Sequence, residues 1–240
     1  VRLNRLSPNP AVAILAKLGN FIPEAGLWLN TQRPEWNDAN NALVGFGASV
    51  VTLNYLRRYL AFCLDLFAPL ADTELPVAVE VDRWLTATAR ALARHRTRLA
   101  GPLTDADRRQ VLDALGGAAS RYRETIYRRG FSGQRTGRRG GPLRDFFRLA
   151  LAWVDHSLRA NQRPDGLYHA YNLVRFDRPG VVPIRRLYEM LEGQVAALSS
   201  GGLDPAESVR LLHALRRSAM YRADQHSYLL YPNRRLPGYL

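Results

Sequence analysis

Apolar residues recur along most of this chain at steps of three and four, the spacing that gathers them on one side of an α-helix. Val111, Leu115, Ala118, Tyr122 and Ile126 make one such stripe, and Phe147, Ala150, Val154 and Leu158 make another. Ile184, Leu187, Leu191, Val195 and Leu198 repeat the pattern, as do Val209, Leu212 and Leu215. No long alternation of β-branched and aromatic residues competes with it. The pattern predicts helices over 9–18, 38–67, 77–99, 104–129, 143–161, 184–199 and 205–218. Punctuation agrees: Thr104-Asp105 offers a cap after the breaker Gly101-Pro102, Asp204-Pro205 sets a cap before a first-turn proline, and Gly201-Gly202 closes the preceding helix. The expectation is an all-α chain of antiparallel helical hairpins, one domain spanning 1–240.

Two connections, 19–37 and 162–183, are long and rich in Trp, Tyr, Asn, Asp and Pro. Structured loops of that length tend to carry function. The stretch Arg128 to Gly141 is dominated by glycine and arginine and reads as a flexible, solvated turn. The helix over 38–67 is apolar or small on every side from Ala42 to Leu53, which implies burial all round. Gly45 and Gly47 each cost such a helix about 1 kcal/mol relative to alanine, a cost that a close helix crossing or a nearby ligand explains.

That helix opens with Arg33 to Gly45, "RPEWNDANNALVG". Capping employs Asn37 or Asp38 and contributes about 1 kcal/mol. It leaves Glu35, Trp36, Asn40 and Asn41 without a purpose. Dense amides and carboxylates read sugar hydroxyls, an indole stacks on the C–H face of a sugar ring, and a carboxylic acid protonates a departing glycosidic oxygen. The candidate set is therefore Asp38 as general acid, Glu35 as a supporting carboxylate, and Trp36, Asn37, Asn40 and Asn41 as substrate-binding groups. A second cluster, "RPDGLYHAYNLV", adds Tyr168, His169, Tyr171 and Asn172 as residues lining a cleft, or else as tyrosines tucked onto the helices. Glu189 and Glu192 lie beside an apolar stripe. They read either as a second carboxylate, the base of an inverting enzyme, or as partners of Arg185 and Arg186. His156 and His213 read as ordinary boundary residues, and "YRADQHSYLLYP" after the last helix as a rim or a cover.

Helical hairpins with Trp36-Asn37-Asp38 opening a buried helix resemble the (α/α)6-toroid glycoside hydrolases and phosphorylases, the cellobiose-phosphorylase-like group in particular. The resemblance implies that Asp38 is the general acid. Glu35 stands where that group often has another acid, whereas Ala39-Asn40-Asn41 replaces its usual glycine. Seven helices make about half of such a toroid, which implies that this is the C-terminal half of a larger catalytic domain. The missing remainder would then be a partner in the site. The start at Val1 also reads as a piece cut from a longer chain.

Composition trims the alternatives. The net charge of +13 would suit nucleic acid, but Lys17 is the only lysine and the arginines are scattered. That bias matches the codon usage of a GC-rich bacterial genome, and nucleic acid is not the expected partner. Cys63 is a single cysteine among apolar neighbours, and the five histidines show no metal-binding spacing, so no metal and no cofactor are expected. The longest apolar passage is too short and too polar to span a bilayer. The expectation is a soluble, cytoplasmic, carbohydrate-cleaving protein acting on an oligo- or polysaccharide. A non-catalytic helical-repeat scaffold stands as the alternative, although no fixed period appears.

Overall fold

The computed structural model describes residues 9–30, 42–233 and 238. Seven α-helices among them follow the apolar stripes: α1 (Asn9–Leu18), α2 (Val50–Leu66), α3 (Val79–Arg94), α4 (Asp105–Arg129), α5 (Gly140–Arg159), α6 (Leu191–Ser199) and α7 (Pro205–Arg217). Ala11, Ile14, Leu15 and Leu18 bury the inner face of α1. Trp84, Leu85, Thr88 and Leu92 do the same on α3, and Phe146, Phe147, Ala150, Trp153 and Val154 on α5. These faces meet in one core built from α1 to α5, in which α2 packs along α5 and α3 along α4. The α4 start carries the expected capping box. Thr104 Oγ1 accepts from Asp107 N at 3.1 Å, while Asp107 accepts from Thr104 N at 3.1 Å. Asp204 and Glu207 repeat the device on α7. A smaller cluster joins α6 and α7 to Leu167, Tyr168 and Met220.

The all-α, toroid expectation is overturned by a sheet. Five short antiparallel strands run in the order β1 (Phe21–Ile22), β2 (Gly26–Trp28), β3 (Gly47–Ser49), β6 (Tyr171–Val174), β7 (Ile184–Arg186), curled as a half-barrel. The chain is therefore a mixed α/β fold. β3 occupies what the pattern assigned to the first half of a helix over 38–67. Gly45 at φ +89° ends any helical path, and Ser49 then caps α2, its Oγ accepting from Thr52 N at 3.0 Å. Likewise β7 replaces the first turns expected of 184–199. The expected flexible turn near 128–141 contains β5 (Arg135–Arg139), paired in full with β4 (Glu74–Ala78) as a two-stranded ribbon. A last hairpin joins β8 (Tyr221–Arg222) to β9 (Ser227–Tyr228).

The two long connections thus supply strands β1, β2 and β6 rather than loops. Gly26 is required where β1 turns into β2: its φ is +130°, and a Cβ there would meet Ser49 O at 2.7 Å. No helix among the described residues is long and apolar enough to cross a membrane.

Candidate functional site

Glu35, Trp36, Asn37, Asp38, Asn40 and Asn41 lie outside the described residues. Both flanks of their segment are described, and they meet. Leu29 N donates to Gly47 O at 2.9 Å, and Gly45 N donates to Leu29 O at 2.6 Å. Trp28 Nε1 donates to Gly45 O at 3.1 Å, and Asn30 Nδ2 to Asn20 Oδ1 at 2.8 Å. The chain therefore leaves the sheet after β2 and is back beside Leu29 by Gly45. The base of this junction is aromatic. Trp28 and Phe176 rings lie 4.8 Å apart at 51°, Phe46 is 47% exposed, and Val174 N donates to Phe46 O at 2.8 Å. Exposed ring faces of this kind suit the C–H face of a sugar.

The second expected cluster sits beside these flanks, but mostly inside the protein. β6 runs between β3 and β7, so Tyr171 and Asn172 are covered on both sides. Tyr168 is also buried, its backbone N–H and C=O both taken by the Gln194 amide at 2.7 and 2.8 Å. The two tyrosines tuck into the interior as packing groups. His169 is half-buried, with Nδ1 2.9 Å from Leu187 O. Burial, outweighing that hydrogen bond, holds its imidazole below the usual range. A carbonyl only accepts, so Nδ1 carries the proton of the neutral ring and Nε2 keeps a lone pair.

Tyr171 links this cluster to the flanks. It packs with Val51, Ala170 and Ala196 in a group that also holds Leu29 and Leu43, the residues on either side of the 31–41 segment, together with Leu187 and Met190. The Glu192 carboxyl takes a hydrogen bond from Tyr171. Burial raises the Glu192 pKa above its ordinary value, and the Tyr171 bond only partly offsets that. Glu189 goes another way, pairing with Arg163 Nη2 at 3.1 Å in place of the expected Arg185 or Arg186.

The sign of the Glu192 shift gives a pH dependence. A carboxyl raised in the folded state lends stability that is complete below its unfolded value of 4.5 and lost as pH rises through the folded value. Glu192→Gln keeps an acceptor for Tyr171 without the charge. Its stability relative to the parent should therefore be higher at pH 8 than at pH 4 in urea titrations. A difference independent of pH would show that Glu192 is not desolvated.

Sequence reasoning missed a buried polar node at the turn between β1 and β2. Glu24 sits at φ +61° and is 6% exposed. Its carboxylate accepts from Arg108 Nη1 at 2.7 Å and Leu103 N at 2.9 Å, with His156 Nε2 at 3.2 Å. Its carbonyl accepts from Asn161 Nδ2 and Arg186 Nη1, each at 2.9 Å, and its N–H bonds Ser157 Oγ at 2.9 Å. Asn172 Nδ2 joins through Asn161 Oδ1 at 2.8 Å and also reaches Ala25 O at 2.7 Å. Saturation on nearly every side marks this as the knot tying α4, α5 and the sheet together. The one available signal was a carboxylate inside the apolar run Phe21 to Leu27.

Among the described residues no three His, Cys, Asp or Glu side chains gather closely enough to hold a metal ion. Cys63 is buried on α2, and burial pushes its thiol up to about 11, which keeps it unreactive at neutral pH. No family model matches the chain, and no curated protein matches it.

Proposed function

We propose that this protein cleaves a glycosidic bond, with Asp38 as proton donor and Glu192 as the second carboxylate. The observation that carries the reading is Glu192: a half-buried acid held by Tyr171 beside the flanks of the Glu35–Asn41 segment. A base that takes a proton from water works best when its pKa is drawn up toward the operating pH, the direction in which burial moves Glu192. Trp28, Phe46 and Phe176 offer ring faces next to the same segment, where Trp36, Asn37, Asn40 and Asn41 would complete the grip on the sugar.

The test is a panel of oligosaccharides assayed for reducing-end release with and without phosphate. Asp38→Asn should lower turnover by roughly 10²–10⁴-fold with the melting temperature little changed. Glu192→Gln should lose hydrolysis and regain it with azide. Full activity in Asp38→Asn overturns the assignment. Phosphorolysis that survives Glu192→Gln would give the acceptor role to phosphate and remove Glu192 as base.

A further inference from the structure

The α3–α4 hairpin carries a groove far from the β2–β3 junction in sequence and in composition. The two helices run antiparallel, with Trp84 stacked on Tyr122 at 4.2 Å and 17°. Two cavities of about 250 and about 300 Å³ adjoin along the seam and share Ala87 and Arg121 as lining residues. Small residues make the depression: Ala87 and Ala91 on α3 face Ala114 and Ala118 on α4.

The walls are basic. Arg83, Arg90 and Arg94 stand exposed along one edge of α3, and Arg121 stands opposite on α4. At 1.5 Å of rise per residue the α3 row extends roughly 16 Å. None of the four arginines forms a salt bridge among the described residues. The acids of the groove are partly engaged. Asp113 is bound by Arg109 Nε at 2.8 Å, and Glu80 Oε1 accepts from Ser132 N at 3.0 Å. Trp84, more than nine-tenths buried, keeps its indole Nε1 donor without a partner among the described residues, open to an acceptor oxygen, while the Glu80 carboxylate lies in the field of Arg83. Four guanidinium forks outside any salt bridge, of which only Arg83 lies in the field of Glu80, line a narrow trough and are complementary to a row of carboxylates or sulfates.

We infer that this groove binds an acidic oligosaccharide, a glycan carrying carboxylate or sulfate groups on successive sugars. The inference rests on the carbohydrate reading above and adds a second point of attachment for a charged chain. Nucleic acid fits the groove less well, because its aromatic rings face each other and Trp84 is 5% exposed, which leaves no open platform for bases.

Calorimetry on the intact chain tests it with four probes of equal length. They are an oligogalacturonate hexamer, a heparin-derived hexasaccharide, neutral cellohexaose and single-stranded hexathymidylate. One or both acidic hexasaccharides should bind, and which of them does identifies carboxylate or sulfate as the recognised group. The double variant Arg83→Gln/Arg121→Gln should weaken that binding by at least about tenfold, each arginine supplying a charge-assisted bond. The double variant Arg210→Gln/Arg217→Gln on α7, which removes the same two charges elsewhere, should leave it unchanged. Asp38→Asn should also leave it unchanged, so that failure of the catalytic reading and failure of the groove are seen separately. Equal weakening by Arg210→Gln/Arg217→Gln would reduce the effect to net charge and overturn the inference. So would tighter binding of hexathymidylate, or no binding of either acidic sugar.

Discussion

Glu24→Ala should unfold this protein more readily than almost any other single exchange of a polar residue. The substitution strips the partner from Arg108, whose side chain is only 9% exposed. A buried charge left without its mate costs about 3–5 kcal/mol. Leu103 N would lose its acceptor as well. Asp105, Val182 O and Leu103 O still hold the guanidinium, so the lower half of that range is the better estimate. For a chain of this size each kcal/mol shifts the melting temperature by roughly 2–4 °C, which puts the drop at roughly 6–16 °C. The double exchange Glu24→Leu/Arg108→Leu should be less destabilising than Glu24→Ala, because no charge is then stranded. A loss below about 1 kcal/mol for Glu24→Ala would mean that the node carries no such tension.

Trp153→Ala is the second large effect. Trp153 is fully buried, the bulkiest side chain at the centre of the helical core. Its indole Nε1 donates to Leu92 O at 3.1 Å and so joins α5 to α3 directly. Removal should cost about 3–5 kcal/mol, since the packed walls close only partly over the void. Trp153→Phe keeps most of the volume and loses the hydrogen bond, so its cost should be nearer 1–2 kcal/mol. Denaturant midpoints with unchanged slopes would check both. If the two variants cost the same, the hydrogen bond and not the volume is what Trp153 supplies.

Helices were legible wherever the apolar stripe came with a cap. α1 begins and ends where its pattern did, and the boxes at Thr104 and Asp204 fixed the starts of α4 and α7. The sheet was not legible, for two physical reasons. Its strands have two to four residues, too few for an alternation of period two to register. Their partners are also remote: Gly47 lies opposite Leu173, so nothing local announces the pairing. The apolar run from Ala42 to Leu53 then looked like one embedded helix. In fact Gly45 turns the chain, and a Cβ at Gly47 would stand 2.4 Å from that of Leu43, so both glycines answer to tight backbone geometry. Arg135 to Arg139 hid in the same way, a strand whose charged side chains disguised a backbone paired with Glu74 to Ala78.

Of the candidate site, the sequence displayed its polar segment and the neighbouring Glu192. It did not display the Trp28–Phe176 ring contact or the exposed Phe46 beside it in the chain path, because β2 and the end of β6 meet only through β3. The Glu24 node was invisible for the same reason. Its ligands arrive from Arg108, His156, Asn161 and Arg186, and no window of sequence holds two of its three sides.

The strand order has a bearing on how the chain is made. β1, β2 and β3 leave the ribosome before β6, which is separated from β3 by α2, α3, α4 and α5. Throughout that interval the outer rim of β3 offers bare amides and carbonyls to any other nascent chain, a well-known invitation to clumping. Ser49 and the apolar start of α2 follow directly, so early docking of that helix on α1 would shield the rim until its true neighbour emerges. The helical half would then be the chaperone of the sheet.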